Sequence, residues 1–194
     1  VGGATTDVHS VSEGDPEIAA SQIAPEPFAK RTVEGDLGVY VNAANVLKLC
    51  DAQALAQQFF CAEEDLLDFC QPIPRRPQEL GFSSALTQAA AQTAVARHAG
   101  LTEYLYGPSG RLAMTRGKDL TTVNWIIGTG GALTRLAVGR AILEGLNQPA
   151  NSPQLFPRHG KVLLDQNYIL AAAGLMAQRY PLAALALMKK SLGL

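Results

Sequence analysis

Two glycine-rich stretches have the residue types to do chemistry. The first is Gly2-Gly3-Ala4-Thr5-Thr6-Asp7, a glycine pair followed by two hydroxyls and a carboxylate. Glycine admits close approach to the backbone and the positive φ that tight turns demand. A turn whose amides and hydroxyls converge can cradle phosphate oxygens, and a neighbouring carboxylate is a hard oxygen ligand of the kind Mg²⁺ prefers. On local spacing the same residues also describe an ordinary β-hairpin turn. The second stretch is Gly128-Thr129-Gly130-Gly131, lying between the apolar run Val123, Trp125, Ile126, Ile127 and a helical pattern. Strand, glycine turn and helix in succession place free helix amides where an anion or nucleotide can meet them. The stretch matches neither GxGxxG nor GxxxxGK[ST], so neither a dinucleotide fold nor a P-loop is signalled. Close strand–helix packing accounts for it equally well.

Other candidates carry less. Glu34 and Asp36 lie two apart in "VEGDLG"; they could position a water or a metal, or be a solvated loop pair. His9 alternates with Val8 and Ser10 on a strand and reads as structural, and Asp165 ends a strand where a helix cap is needed. Cys50, Cys61 and Cys70 are odd in number, lack CxxC spacing, and with three scattered histidines form neither a zinc set nor a disulfide framework. A reducing cytoplasm is the expectation that follows. The net charge of −1 and the lack of a basic run give no argument for nucleic acid. No run of about 18 uncharged apolar residues predicts a membrane span.

At 47% hydrophobic and 17% charged, the 194 residues can bury the core of one domain or one lobe. Residues 5–12 read as a strand, "EGDP" as a turn, and residues 17–34 as a second extended piece interrupted by "APEPF". Helical patterns follow near 39–50, 52–60 and 63–70, and "QPIPRRP" breaks the chain. An alanine-rich helix is predicted over 82–100, closed by Gly100. Two short extended pieces flank the turn Gly107-Pro108-Ser109-Gly110. Val138, Ala141, Ile142 and Leu146 give the helix after Gly131 an apolar face. "KVLLD" reads as a strand and is followed by helices near 167–179 and 181–192. The fold class expected is α/β, with one small mixed sheet from residues 1–35 and 103–127 and helices packed against it.

Taken together, "VGGATTDVHSV", "RTVEGDLG", "IIGTGGAL" and "LLDQNYILAAAGLMAQRYPLAAL" resemble the accessory or reactivating proteins of adenosylcobalamin-dependent glutamate mutase, the MutL/GlmL-type family. That family is unrelated to the mismatch-repair protein that shares its name. The resemblance covers nearly the whole chain. It implies the actin/Hsp70/sugar-kinase superfamily and hence a ribonuclease-H-like C-terminal lobe of an actin-like ATPase over residues 1–194. Val1 would then be the cut end of a longer chain. It further implies ATP and Mg²⁺ held by turns at 2–7 and 128–131. Gly2 and Gly3 would offer backbone to the β- and γ-phosphates and Thr5 and Thr6 their hydroxyls, with Asp7 near the metal, so that Thr6 and Asp7 are the implied catalytic residues. Gly128, Thr129, Gly130 and Gly131 would receive the adenosine, and the two turns should approach each other across a cleft. The implied partners are a mutase of the glutamate mutase type and the N-terminal half of the same protein, which would bring the first phosphate motif. The implied function is ATP-dependent reactivation of the mutase, with this chain alone inactive. A small-molecule kinase on the same scaffold is the first alternative, although no carboxylate base is identifiable. A non-catalytic actin-like subunit is the second.

Overall fold

The structure, a computed structural model, describes residues 1–108 and 110–194; Ser109, in the expected 107–110 turn, lies outside them. Strands β1 (Thr6–Val11) and β2 (Ala29–Glu34) flank a short helix α1 (Pro16–Ala19). They pair antiparallel with Thr6 opposite Glu34 and Val11 opposite Ala29. Helices α2 (Ala43–Leu47) and α3 (Ala52–Phe59), then a 3₁₀ segment at Glu63–Phe69, lead into the long helix α4 (Pro77–His98). Strands β3 (Leu101–Gly107) and β4 (Gly110–Arg116) form an antiparallel hairpin. Strand β5 (Trp125–Gly128) pairs in parallel with β6 (Lys161–Leu164), and helices α5 (Gly131–Arg135) and α6 (Gly139–Glu144) make the crossover that a parallel pair requires. Helices α7 (Leu170–Ala177) and α8 (Pro181–Leu192) close the chain.

The single mixed sheet expected from the sequence is not what forms. Among the described residues there are three separate two-stranded ladders, β1–β2, β3–β4 and β5–β6. The β3–β4 hairpin attaches to the rest through the isolated bridges Gln22–Thr115 and Leu101–Gln154 rather than by joining a sheet. β1 and β5 line the two sides of one cleft, of about 830 Å³, and do not pair.

α4 organises the core. Its Phe82, Leu86, Ala90 and Ala94 pack with Leu37, Val46 and Leu66, while Ala91 joins Leu133, Ile142, Leu143, Leu146 and Val162 in a second cluster. The alanines let elements on both sides come close. The helix begins five residues earlier than the sequence reading, inside the stretch read as a break. Pro77 occupies its first turn, where a missing N–H costs nothing. Glu79 accepts from the Arg75 and Arg76 amides at 2.8 and 2.9 Å and from Arg76 Nε at 2.6 Å. These bonds hold the Glu79 carboxyl at about 2. The predicted single helix from Gly131 splits into α5 and α6 at Leu136, whose extended backbone ends α5, and Gly139 then packs against the Leu133 carbonyl, where a Cβ would not fit.

Candidate functional site

The Gly2–Thr5 segment is a two-residue hairpin turn: the Gly2 amide donates to the Thr5 carbonyl at 2.9 Å across Gly3 and Ala4. Neither Gly2 nor Gly3 takes a positive φ. What shapes the turn is the strand-end motif opposite. Val39 N donates to Gly2 O at 3.1 Å, and Tyr40 N and Val41 N donate to Gly3 O at 3.0 and 2.8 Å. Asn42 Nδ2 donates to Ala4 O at 2.9 Å and Gly35 O at 2.8 Å. Gly38 lies so close to Ala4 that only a residue without a side chain fits. Glu34 and Asp36 both receive Arg97 of α4, at 2.7 Å each, with a second Arg97 bond to Asp36 at 2.9 Å. The Arg97 hydrogen bond holds the Asp36 carboxyl below its usual range. "VEGDLG" is therefore a brace that ties the first turn to α4, and its carboxylates are engaged in that task.

The predicted residues of the first turn divide. Thr6 is buried and its hydroxyl donates to Leu37 O at 2.8 Å, so that proton serves the brace. Thr5 is half-buried, while Gly3 and Asp7 are exposed. Asp7 lies 3.5 Å from Arg31. Among the described residues, no group of three or more His, Cys, Asp or Glu side chains is arranged to hold a metal. Asp7 is a single exposed carboxylate, a hard oxygen donor of the kind that leaves most of a Mg²⁺ shell to other ligands.

The second turn divides as well. Gly128 is buried against Leu143 and Leu164, and its lack of a side chain serves that packing. Gly130 has φ +97° and sits against the Val1 carbonyl. Gly131 faces open space, and Thr129 is exposed. The Thr129 hydroxyl donates to Asp165 at 2.8 Å. Asp165 is fully buried and also accepts from the Ile169 and Leu170 amides at 3.1 and 3.0 Å and from the Ser191 hydroxyl at 2.5 Å. Burial pushes its pKa up, but these bonds outweigh it and the net shift is downward. One carboxylate thus fixes the glycine turn, starts α7 and anchors α8, which goes beyond the capping role read from sequence. Asp165→Asn should lower stability by about 2 kcal/mol, because an amide cannot accept from four donors. Urea unfolding at pH 7 checks this, and an unchanged midpoint would reject it.

The two turns meet. The Val1 amine donates to the Thr129 carbonyl at 3.2 Å, and desolvation there lowers its pKa despite the nearby Asp7 charge. Two buried cationic or titratable residues escaped sequence reasoning. Lys118 Nζ donates to the carbonyls of Ser12, Pro27 and Phe28 at 2.5, 2.7 and 3.1 Å, pinning the loop beyond β1. His98 bonds Ser10 Oγ at 2.7 Å and Thr32 Oγ1 at 2.9 Å. Only the tertiary fold shows that this histidine in the last turn of α4 is buried. No helix among the described residues is long and apolar enough to cross a membrane.

Comparison with known proteins agrees with the resemblance drawn from the sequence. The family described as MutL protein matches residues 1–192. Protein MutL of Clostridium tetanomorphum is 36% identical over 203 aligned positions, which cover 99% of this chain and 44% of that protein. The chain thus spans less than half the length of that curated relative. No solved structure matches, so the actin-like comparison has no structural neighbour behind it. With a match over nearly its whole length, the chain belongs to the MutL protein family.

Proposed function

We propose that this chain is the nucleotide-binding C-terminal lobe of an accessory protein that reactivates an adenosylcobalamin-dependent mutase of the glutamate mutase type. The observation that carries the reading is the meeting of the two glycine turns at Val1 and Thr129, within a whole-chain match to the MutL family. In this reading the phosphates lie over Gly2, Gly3 and Thr5, with Asp7 contributing one ligand to Mg²⁺. The adenosine side lies over Thr129 and Gly131, the members of the second turn that face solvent. Thr6 and Gly130 act by holding these groups in place, and Gly128 by packing behind them. Bound ATP and Mg²⁺ would supply the phosphoryl chemistry. Catalysis of such transfer rests on positioning and electrostatics, so a lobe offering one phosphate turn should bind nucleotide weakly and turn over negligibly.

The test measures nucleotide binding and phosphate release for the 194-residue chain and for the longer protein. The longer protein is assayed with inactivated mutase and, separately, with a panel of sugars. Nucleotide-dependent recovery of mutase activity, absent from the isolated chain, is the expected result. ATP-dependent phosphorylation of a sugar would replace this reading with the kinase alternative. Absence of ATP binding by the longer protein would reject both.

A further inference from the structure

Two consecutive phenylalanines end α3, and the fold uses them in opposite ways. Phe59 turns inward, its ring 5.6 Å from that of Phe69, which lies 6.5 Å from the core ring of Phe82. Phe60 is 96% exposed, more than any other large apolar residue among those described. Its backbone, at φ 55° and ψ 46°, takes the left-handed position after a helix that glycine fills without strain. A bulky side chain there works against folding, and an exposed one recovers nothing by burial. The ring borders a small open groove together with Gln53, Ala56 and Gln57, which precede it at helical spacing, and with Glu63 beyond the turn. The 3₁₀ segment that follows has three residues per turn. Leu66 and Phe69 pack on the core, which leaves Glu64 and Leu67 exposed in one column and Asp65 and Asp68 in another. Between Lys48 and Arg75 the sequence holds Asp51, Glu63, Glu64, Asp65 and Asp68 and no lysine or arginine. Asp51 caps α3. The other four are exposed and in no ion pair among the described residues.

We propose that this face is a docking site for a basic, amphipathic segment of a partner protein. The segment lays an apolar side chain into the groove against Phe60 and sets its lysines or arginines over Glu64, Asp65 and Asp68. Charge selects the occupant. Carboxylates this closely spaced repel nucleic acid and anionic lipid head groups alike. Among the described residues no three His, Cys, Asp or Glu side chains are placed to hold a metal ion, so a bare cation does not account for them. A polypeptide with both cations and an apolar anchor matches the two halves of the surface at once. Aromatic anchors carry much of the affinity of an interface, and complementary charge adds encounter rate and orientation. None of these residues belongs to the two glycine turns, so the proposal stands apart from the nucleotide reading.

The test titrates the 194-residue chain into a fluorescent leucine–lysine peptide of roughly 15 residues, long enough for a helix, with its leucines on one helical face. A second peptide carries glutamate in place of lysine. The lysine peptide should bind and the glutamate peptide should not. Phe60→Gly should weaken binding on the order of 10-fold while melting no lower than the wild-type chain, because glycine suits the left-handed position. Glu64→Lys combined with Asp68→Lys should weaken binding by a similar factor, and by less at high salt, where the charges are screened. Glu13→Lys combined with Glu17→Lys reverses two other exposed acids and should leave binding unchanged. Failure of the lysine peptide to bind overturns the proposal, as does undiminished binding by the Phe60 variant or by the Glu64 and Asp68 variant. Equal loss from the Glu13 and Glu17 variant would mean charge without a site and overturn it. A lower melting temperature for Phe60→Gly would assign the ring to folding and overturn it too.

Discussion

Replacing Gly38 with alanine is expected to lower the stability of the chain by about 3 kcal/mol, the upper range for forcing atoms into a filled space. The cause is space and not backbone conformation, since Gly38 has no positive φ. A Cβ at this position would fall on the carbonyl and Cα of Ala4. Backbone atoms cannot swing away as a side chain can, so the Gly2–Thr5 turn and the 35–42 segment must separate. The bonds from Val39, Tyr40 and Val41 to Gly2 and Gly3 would be strained together, and the buried Thr6–Leu37 bond with them. Gly35, three residues earlier in the same motif, is the internal control. Nothing lies within 4 Å of a Cβ built there, so Gly35→Ala should change stability by less than about 0.5 kcal/mol. Urea midpoints at constant slope distinguish the two variants. Matching midpoints would mean that the turn is not braced through Gly38. A loss confined to Gly38 would show that the turn is braced through its close approach to Ala4.

The "VEGDLG" motif illustrates what was legible in the sequence and what was not. The alternation of Thr6, Val8 and Ser10 with exposed neighbours reads as a strand because it depends only on residues two apart. The glycine turns read as turns for the same local reason. Their purposes were hidden: Gly130 is small for Val1, 129 residues away, and Gly128 for Leu143 and Leu164. Likewise Glu34 and Asp36 read as free carboxylates because their partner, Arg97, lies 63 and 61 residues off. The helix start at Pro77 carries a local signal. Proline in the first turn and glutamate two residues later are a start signal, and three prolines in "QPIPRRP" masked it. The mixed sheet failed for a different reason. Strand identity was largely legible, but which edges join is set by tertiary packing, and no local pattern specifies three separate ladders.

Stability should fall by about 3 kcal/mol as pH is lowered from 7 to 4, with His98 as the main cause. The ring is completely buried. Ser10 and Thr32 hydroxyls bond its two nitrogens, an arrangement that suits a neutral imidazole with one nitrogen donating and the other accepting. Desolvation, reinforced by the Lys30, Lys118 and His9 charges and opposed by Glu26, lowers its pKa from 6.5 to about 4. The unfolded chain therefore binds a proton between these values that the folded chain does not. The neutral-histidine contribution is complete above about 6.5 and is lost as pH falls toward 4, at up to about 1.4 kcal/mol per unit. Carboxylates enter only at the acid end of this window. Asp36, Glu79 and Asp165 have lowered pKa values, so their stabilisation is complete well above their unfolded values and begins to drain as pH approaches 4, in the wild-type chain and the variant alike. The Val1 amine also favours its neutral form, and N-acetylation removes it from the measurement. His98→Gln supplies the comparison: glutamine can bond both hydroxyls but cannot take up the proton. The acetylated wild-type chain should lose stability steadily from pH 7 to 4, while the variant stays nearly level until the carboxylates begin to titrate at the acid end. Parallel curves would show that the folded imidazole takes up its proton as readily as the unfolded one, and the Ser10–His98–Thr32 network would then have to hold a cation inside the core at acid pH, beside two lysines. The burial of His98 and Ser10 argues against that outcome, because an unpaired buried cation costs more than two hydroxyl bonds return.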